Sequence, residues 1–118
     1  MIFPLALTLA LYAPQTQHST AASEEMRGST LYRRCQAVSI ADPTSAEAMR
    51  ASICLIYVAG FMDGRYVDGK QPCVGAASYE AIAGAYVAWM KRHPEVMKYD
   101  RSIGMLLALG EAYPCTAK

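Results

Sequence analysis

The sequence predicts a small all-α domain, and three observations carry that prediction. Apolar residues recur at helical spacing in four segments, turn signals separate the segments, and no stretch alternates apolar and polar residues as a half-buried strand would. With 118 residues the chain is long enough for one domain and too short for two. Hydrophobic residues make up 53% of it, enough to build a core. The expected architecture is a four-helix bundle, or four helices plus a short one.

The first helix is expected from about Glu24 to Val38, with Ser23 as N-cap and acidic residues in the first turn. Leu31, Cys35 and Val38 fall on one narrow apolar stripe, while Gly28 weakens the start. Asp42-Pro43 interrupts the pattern. Thr44-x-x-Glu47 then matches a capping box, in which hydroxyl and carboxylate each satisfy a backbone donor near the other.

The second helix is expected from about Ser45 into the low sixties. No charged side chain occurs from Ala51 to Met62. Cys54, Tyr57, Val58, Phe61 and Met62 share a face that Ile53, Ile56 and Gly60 broaden, which predicts a helix at the centre of the bundle. Gly60 and Gly64, one turn apart, predict close approach of a neighbouring backbone. The uncharged run is shorter than the ~20 residues a membrane span needs.

Asp68-Gly69-Lys70-Gln71-Pro72 reads as a turn, followed by Cys73 and a loop at Gly75. Ser78 is the expected cap of a third helix, along which Ile82, Tyr86, Trp89 and Met90 repeat at helical spacing. That helix must end near His93, because Pro94 disfavours a helical residue before it. Asp100 is the expected cap of a fourth helix, with Ile103, Leu106, Leu107 and Ala112 as its inner face. Gly104 and Gly110 weaken that helix, and Pro114 stops it.

The N-terminus has a different character. MIFPLALTLALYA is an apolar run followed by a polar stretch of small residues, and the first charged side chain is Glu24. Its n-region carries no Lys or Arg, only the Met1 amino group, but the pattern otherwise fits an export signal. Residues 1–22 are thus expected to be a signal peptide, with the working domain over 23–118 and no stable membrane insertion after cleavage.

Four cysteines follow: Cys35, Cys54, Cys73 and Cys115. An even count in a small exported domain predicts a disulfide framework, and composition leaves all three pairings open. None of the four lies within zinc-ligand spacing of another, and no haem-attachment motif occurs, so neither metal nor cofactor is expected. The net charge of +1 and the scattered Lys and Arg residues argue against nucleic acid as a partner. Cys54 as a nucleophile would need a base, and His93 is the one histidine beyond residue 22. Asp63 lacks the partner carboxylate or metal site that acid–base chemistry uses. No enzyme is expected.

The ordered set of motifs resembles a known family. Cys54-Leu55-x-Tyr57-x-x-Gly60-Phe61-x-Asp63-Gly64 is similar to the central helix of the Rap/Tai type VI secretion immunity proteins. Leu31-x-x-x-Cys35, Cys73, His93-Pro94-Glu95 and Glu111-Ala112-Tyr113-Pro114-Cys115 follow the same pattern in order, spanning roughly residues 28 to 115. Two features depart from it: Cys73-Val74-Gly75 lacks the usual proline, and the third helix is richer in alanine.

The resemblance implies a compact helical protein of the periplasm, often a homodimer, that occludes a secreted peptidoglycan amidase. It also implies the bridges Cys35–Cys54 and Cys73–Cys115, each worth roughly 3–4 kcal/mol on loop-entropy grounds. A contact surface rich in aromatic and Arg anchors would then draw on Tyr79, Lys91, Arg92, His93, Glu95, Lys98, Tyr99 and Asp100. The alternatives are a small envelope chaperone opened by acid, or a protein of this fold with another envelope role.

Overall fold

A computed structural model describes residues 23–116. The expected signal peptide, residues 1–22, lies outside the described residues. Four helices form the bundle: α1 (Gly28–Gln36), α2 (Ser45–Val67), α3 (Tyr79–Arg92) and α4 (Arg101–Ala112). Short 3-10 turns at Ala37–Ser39 and Pro94–Val96 follow α1 and α3, and the described residues contain no strand.

Helix α1 starts later than the sequence suggests. Residues 23–25 are helical, but Met26 turns and Arg27 forms an antiparallel bridge with Asp100. The first α1 donors are satisfied by backbone from the segment before α4: Gly28 N–H donates to Tyr99 O at 2.8 Å and Ser29 N–H to Met97 O at 2.9 Å. Arg101 N–H returns a bond to Met26 O at 2.8 Å. No side-chain N-cap is needed there, and none is made. Gly28 therefore has a positive role, since a Cβ would lie 3.0 Å from Met90 Cε and 3.3 Å from Val96 O. The Tyr86 hydroxyl donates to Gly28 O at 3.1 Å and fixes the same junction from the core.

The remaining helices obey their terminal signals. Thr44 Oγ1 accepts from Glu47 N–H, and Glu47 Oε1 accepts from Thr44 N–H, completing the capping box. Helix α2 runs past the expected low sixties to Val67. It closes in a Schellman motif, Gly69 N–H to Tyr66 O and Lys70 N–H to Arg65 O, with Gly69 at φ 68°. Ser78 caps α3 and Asp100 caps α4 through their side-chain oxygens.

The core sits around α3, not α2. Ile82, Ala83, Tyr86, Trp89 and Met90 of α3 are buried, with Leu31 and Cys35 from α1. Helix α2 buries only Cys54, Val58 and Met62, with Tyr57 and Phe61 half-buried beside them. The expectation of a central α2 is therefore wrong: its apolar circumference is wider than the one side the bundle covers. Gly60 and Gly64 likewise meet nothing within 4 Å, so no neighbouring backbone of the described chain uses them.

Helix α4 is also rotated from expectation. Its buried side is Gly104, Met105, Ala108 and Leu109, while Ile103, Leu106, Leu107 and Ala112 are exposed. The physical reason is close approach to α3, where a Cβ on Gly104 would lie 2.7 Å from Met90 Sδ. The missing side chain at 104 admits Met90 and Tyr86; a larger aliphatic there would hold the helices apart.

Two disulfides fasten this arrangement. Cys35–Cys54 joins α1 to α2 in the core, with Cα atoms 5.0 Å apart. Cys73–Cys115 ties the α2–α3 connection to the C-terminal end, with Cα atoms 5.3 Å apart.

Candidate partner-binding surface

The described residues do not bring Cys54 and His93 together. Cys54 is fully buried and bonded to Cys35, and His93 lies at the end of α3 against Trp89. Asp63 is exposed on α2 and borders a shallow cavity with Tyr66, Gln71 and Tyr79. No buried polar or charged residue occurs among the described residues, nor any His, Cys, Asp and Glu group suited to a metal.

The best-organised surface is the corner where α3 ends and α4 passes. Trp89 Nε1–H donates to Glu111 Oε2 at 2.8 Å, and an Arg92 guanidinium nitrogen lies 3.2 Å from Glu111 Oε1. The Trp89 indole and Arg92 hold the Glu111 carboxyl below the usual carboxylate range. The His93 ring stacks on Trp89 with centroids 4.0 Å apart, and its Nδ1 sits 3.2 Å from Glu95 Oε1. Glu95 is lowered by its own backbone N–H, with His93 adding to the effect. Pro94 stops α3, so the chain turns at this corner and aligns the cluster.

The segment beyond carries a second group. Lys98 Nζ lies 5.3 Å from the Tyr99 ring centroid, and Tyr99 is exposed. Asp100 is spent on capping α4, where bonds from the Ser102 hydroxyl and backbone N–H lower its pKa. Arg101 places its guanidinium 4.4 Å from the Tyr57 ring centroid, and burial pushes the Tyr57 phenol up to about 12.

Of the residues singled out from the sequence, Arg92, His93 and Glu95 are brought together around Trp89 and Glu111. Lys91 is exposed in the last turn of α3, and Lys98, Tyr99 and Asp100 follow on the segment leading into α4. Tyr79 does not join them, because it lies at the other end of α3, roughly 20 Å away along the helix. Sequence reasoning missed Trp89 and Glu111 as the scaffold of this corner. The available signal was a Trp that helical spacing turns inward, whose indole N–H needs a partner when buried.

A second surface was missed altogether. Met49, Ile56 and Val67 on α2 are 63%, 72% and 82% exposed, and with Ile53 and Gly60 they form a stripe opposite the buried side. Their 3- and 4-residue spacing is that of a helix seam. Ile103, Leu106 and Leu107 on α4 are a further exposed apolar group.

The fold and these surfaces define a small, disulfide-tied, all-α scaffold. The chain belongs to the Rap1a immunity proteins, whose family model matches residues 27–115. Comparison with curated proteins and with solved structures gives no match. It is an immunity protein, and membership implies a protein effector as its partner.

Proposed function

We propose that this immunity protein acts in the periplasm, where it binds and occludes a peptidoglycan amidase effector of a type VI secretion system and so protects the producing cell. Membership of the Rap1a family is the observation that carries this reading. The apolar N-terminal run of the sequence supports export, with residues 1–22 as a signal peptide. Occlusion of a cleft requires a rigid surface and no chemistry of the inhibitor's own. The α3–α4 corner suits that task, because Arg92 and His93 are already held by Glu111, Trp89 and Glu95 before any partner arrives.

The proposed partner surface is this corner with Lys91, Lys98 and Tyr99 at its rim. Asp100 acts through the α4 cap, and Tyr79 lies outside the patch. The experiment is co-expression in bacteria of a peptidoglycan amidase effector, sought among the genes neighbouring this one and directed to the periplasm. The full chain is expected to prevent lysis, and the same chain without residues 1–22 is expected to fail. Continued lysis in the presence of the full, exported chain contradicts the reading.

A second copy of the chain is proposed to cover the α2 stripe. In an antiparallel pair of α2 helices centred near Val58, Met49 faces Val67 of the other copy and Ile56 fits the notch at Gly60. Asp63 then falls opposite Ile53 of the other copy, away from the other copy's own Asp63. A parallel pair would set Asp63 against Asp63.

A further inference from the structure

We propose that Cys73–Cys115 is a thiol–disulfide exchange site for a dithiol oxidoreductase, opened while Cys35–Cys54 remains closed. The two bridges have opposite surroundings. Cys35 and Cys54 are 2% and 0% exposed within the core, whereas Cys73 and Cys115 are both exposed. An attacking thiolate must reach a sulfur, so access alone separates the two.

The outer bridge also borders a shallow cavity of about 200 Å³, lined by Arg65, Lys70, Leu106, Leu109 and Tyr113. Its apolar wall offers a partner a place to rest beside the sulfurs. Its two cations favour thiolate over thiol, which makes a cysteine released there a better leaving group. Arg65 is fixed in place, since its Nε donates to Lys70 O at 3.0 Å.

The bridge is also the one covalent tie between the α2–α3 connection and the C-terminal end. The bonds of the α2–α3 connection are local, Lys70 N–H to Arg65 O and Ala77 N–H to Val74 O. The C-terminal end makes one, Tyr113 N–H to Leu109 O. Among the described residues no hydrogen bond joins these two segments. Opening the bridge leaves both held only by the apolar packing of Val74, Ala77 and Tyr113 on the core, while the helices keep their core and their inner disulfide.

The exchange runs in two steps. A thiolate of the oxidoreductase attacks Cys115 Sγ; a mixed disulfide forms, the Cys73–Cys115 bond breaks, and Cys73 leaves as a thiolate beside Arg65 and Lys70. The second thiolate of the oxidoreductase then displaces Cys115. Two electrons pass to this chain, the oxidoreductase is left as a disulfide, and the released thiolates take protons from water.

None of this depends on the effector assignment, because the readout is cysteine labelling. Oxidised protein is incubated with reduced thioredoxin as the probe, quenched with an alkylating agent, and mapped by mass spectrometry. Cys73 and Cys115 are expected to label at least tenfold faster than Cys35 and Cys54, with the helical circular dichroism unchanged. Hydrogen exchange should rise in residues 68–78 and 113–116 only. Lys70→Glu, at an exposed position, is expected to slow labelling several-fold. Labelling of the inner pair first, opening of both bridges only as helicity is lost, or an unchanged rate in Lys70→Glu overturns the proposal.

Discussion

Gly104 and Gly110 are both glycines inside α4, yet the fold gives them opposite meanings. A Cβ at 104 would meet Met90 Sδ at 2.7 Å, whereas a Cβ at 110 meets nothing within 4 Å. Gly104→Ala is expected to destabilise by about 1–3 kcal/mol through overpacking. Gly110→Ala should stabilise by about 0.5–1 kcal/mol, because helix propensity acts there unopposed. Urea denaturation of the two variants checks the pair of signs. From the sequence both glycines read only as weak points of a helix, as did Gly28, because the neighbour that makes two of them necessary is distant in the chain. Glu111 has a similarly local role with a pH signature. Its folded pKa lies below the usual 4.5, so its contribution to stability is complete above the unfolded value and is lost as pH falls through the folded one. Glu111→Gln should lower the melting temperature slightly at pH 7 and leave it unchanged once the pH is below the folded pKa, where the wild-type carboxyl is also neutral. Emission from Trp89, the chain's single tryptophan, should follow the same acid transition in the wild type and lose it in the variant.

At the scale of the helices, most termini were legible, and so was the α3 face of Ile82, Tyr86, Trp89 and Met90, but the α1 start and the faces of α2 and α4 were not. The Thr44–Glu47 box, Ser78, Asp100, the Asp68-Gly69 stop and Pro94 each act through neighbours within a few residues, so the sequence contains the whole interaction. Which side of α2 or α4 turns inward depends on a partner helix. Both helices carry more apolar surface than the bundle covers, and periodicity alone cannot choose between two apolar sides. On α4 the choice went to the small residues that allow close packing with α3; on α2 it went to the side carrying the Cys54 bridge. The excess on α2 is the basis for the proposed antiparallel pair. Sedimentation at micromolar concentration is expected to show a dimer, and Ile56→Glu, at a 72% exposed position, should yield a folded monomer. A wild-type monomer, or an Ile56→Glu dimer, removes α2 as the seam.

For the whole molecule, composition and cysteine count foretold a disulfide-tied helical domain, but not which cysteines meet or where a partner would sit. The three pairings open to four cysteines differ in which segments they fasten, and the fold brings Cys35 to Cys54 and Cys73 to Cys115. The corner built by Trp89, Arg92, His93, Glu95 and Glu111 required α3 and α4 to be laid side by side. With its groups already oriented, this corner should bind with little loss of side-chain freedom, and charge-reversal there should raise the dissociation rate more than it lowers the association rate. The most direct test titrates the purified, oxidised chain into a peptidoglycan amidase effector, sought among the genes neighbouring this one, while peptidoglycan hydrolysis is followed. Stoichiometric, nanomolar inhibition is expected, weakening at least tenfold in the Arg92→Glu, Tyr99→Ala double variant with the helical fold intact. Hydrolysis that continues undiminished at a molar excess of the wild-type protein would contradict it.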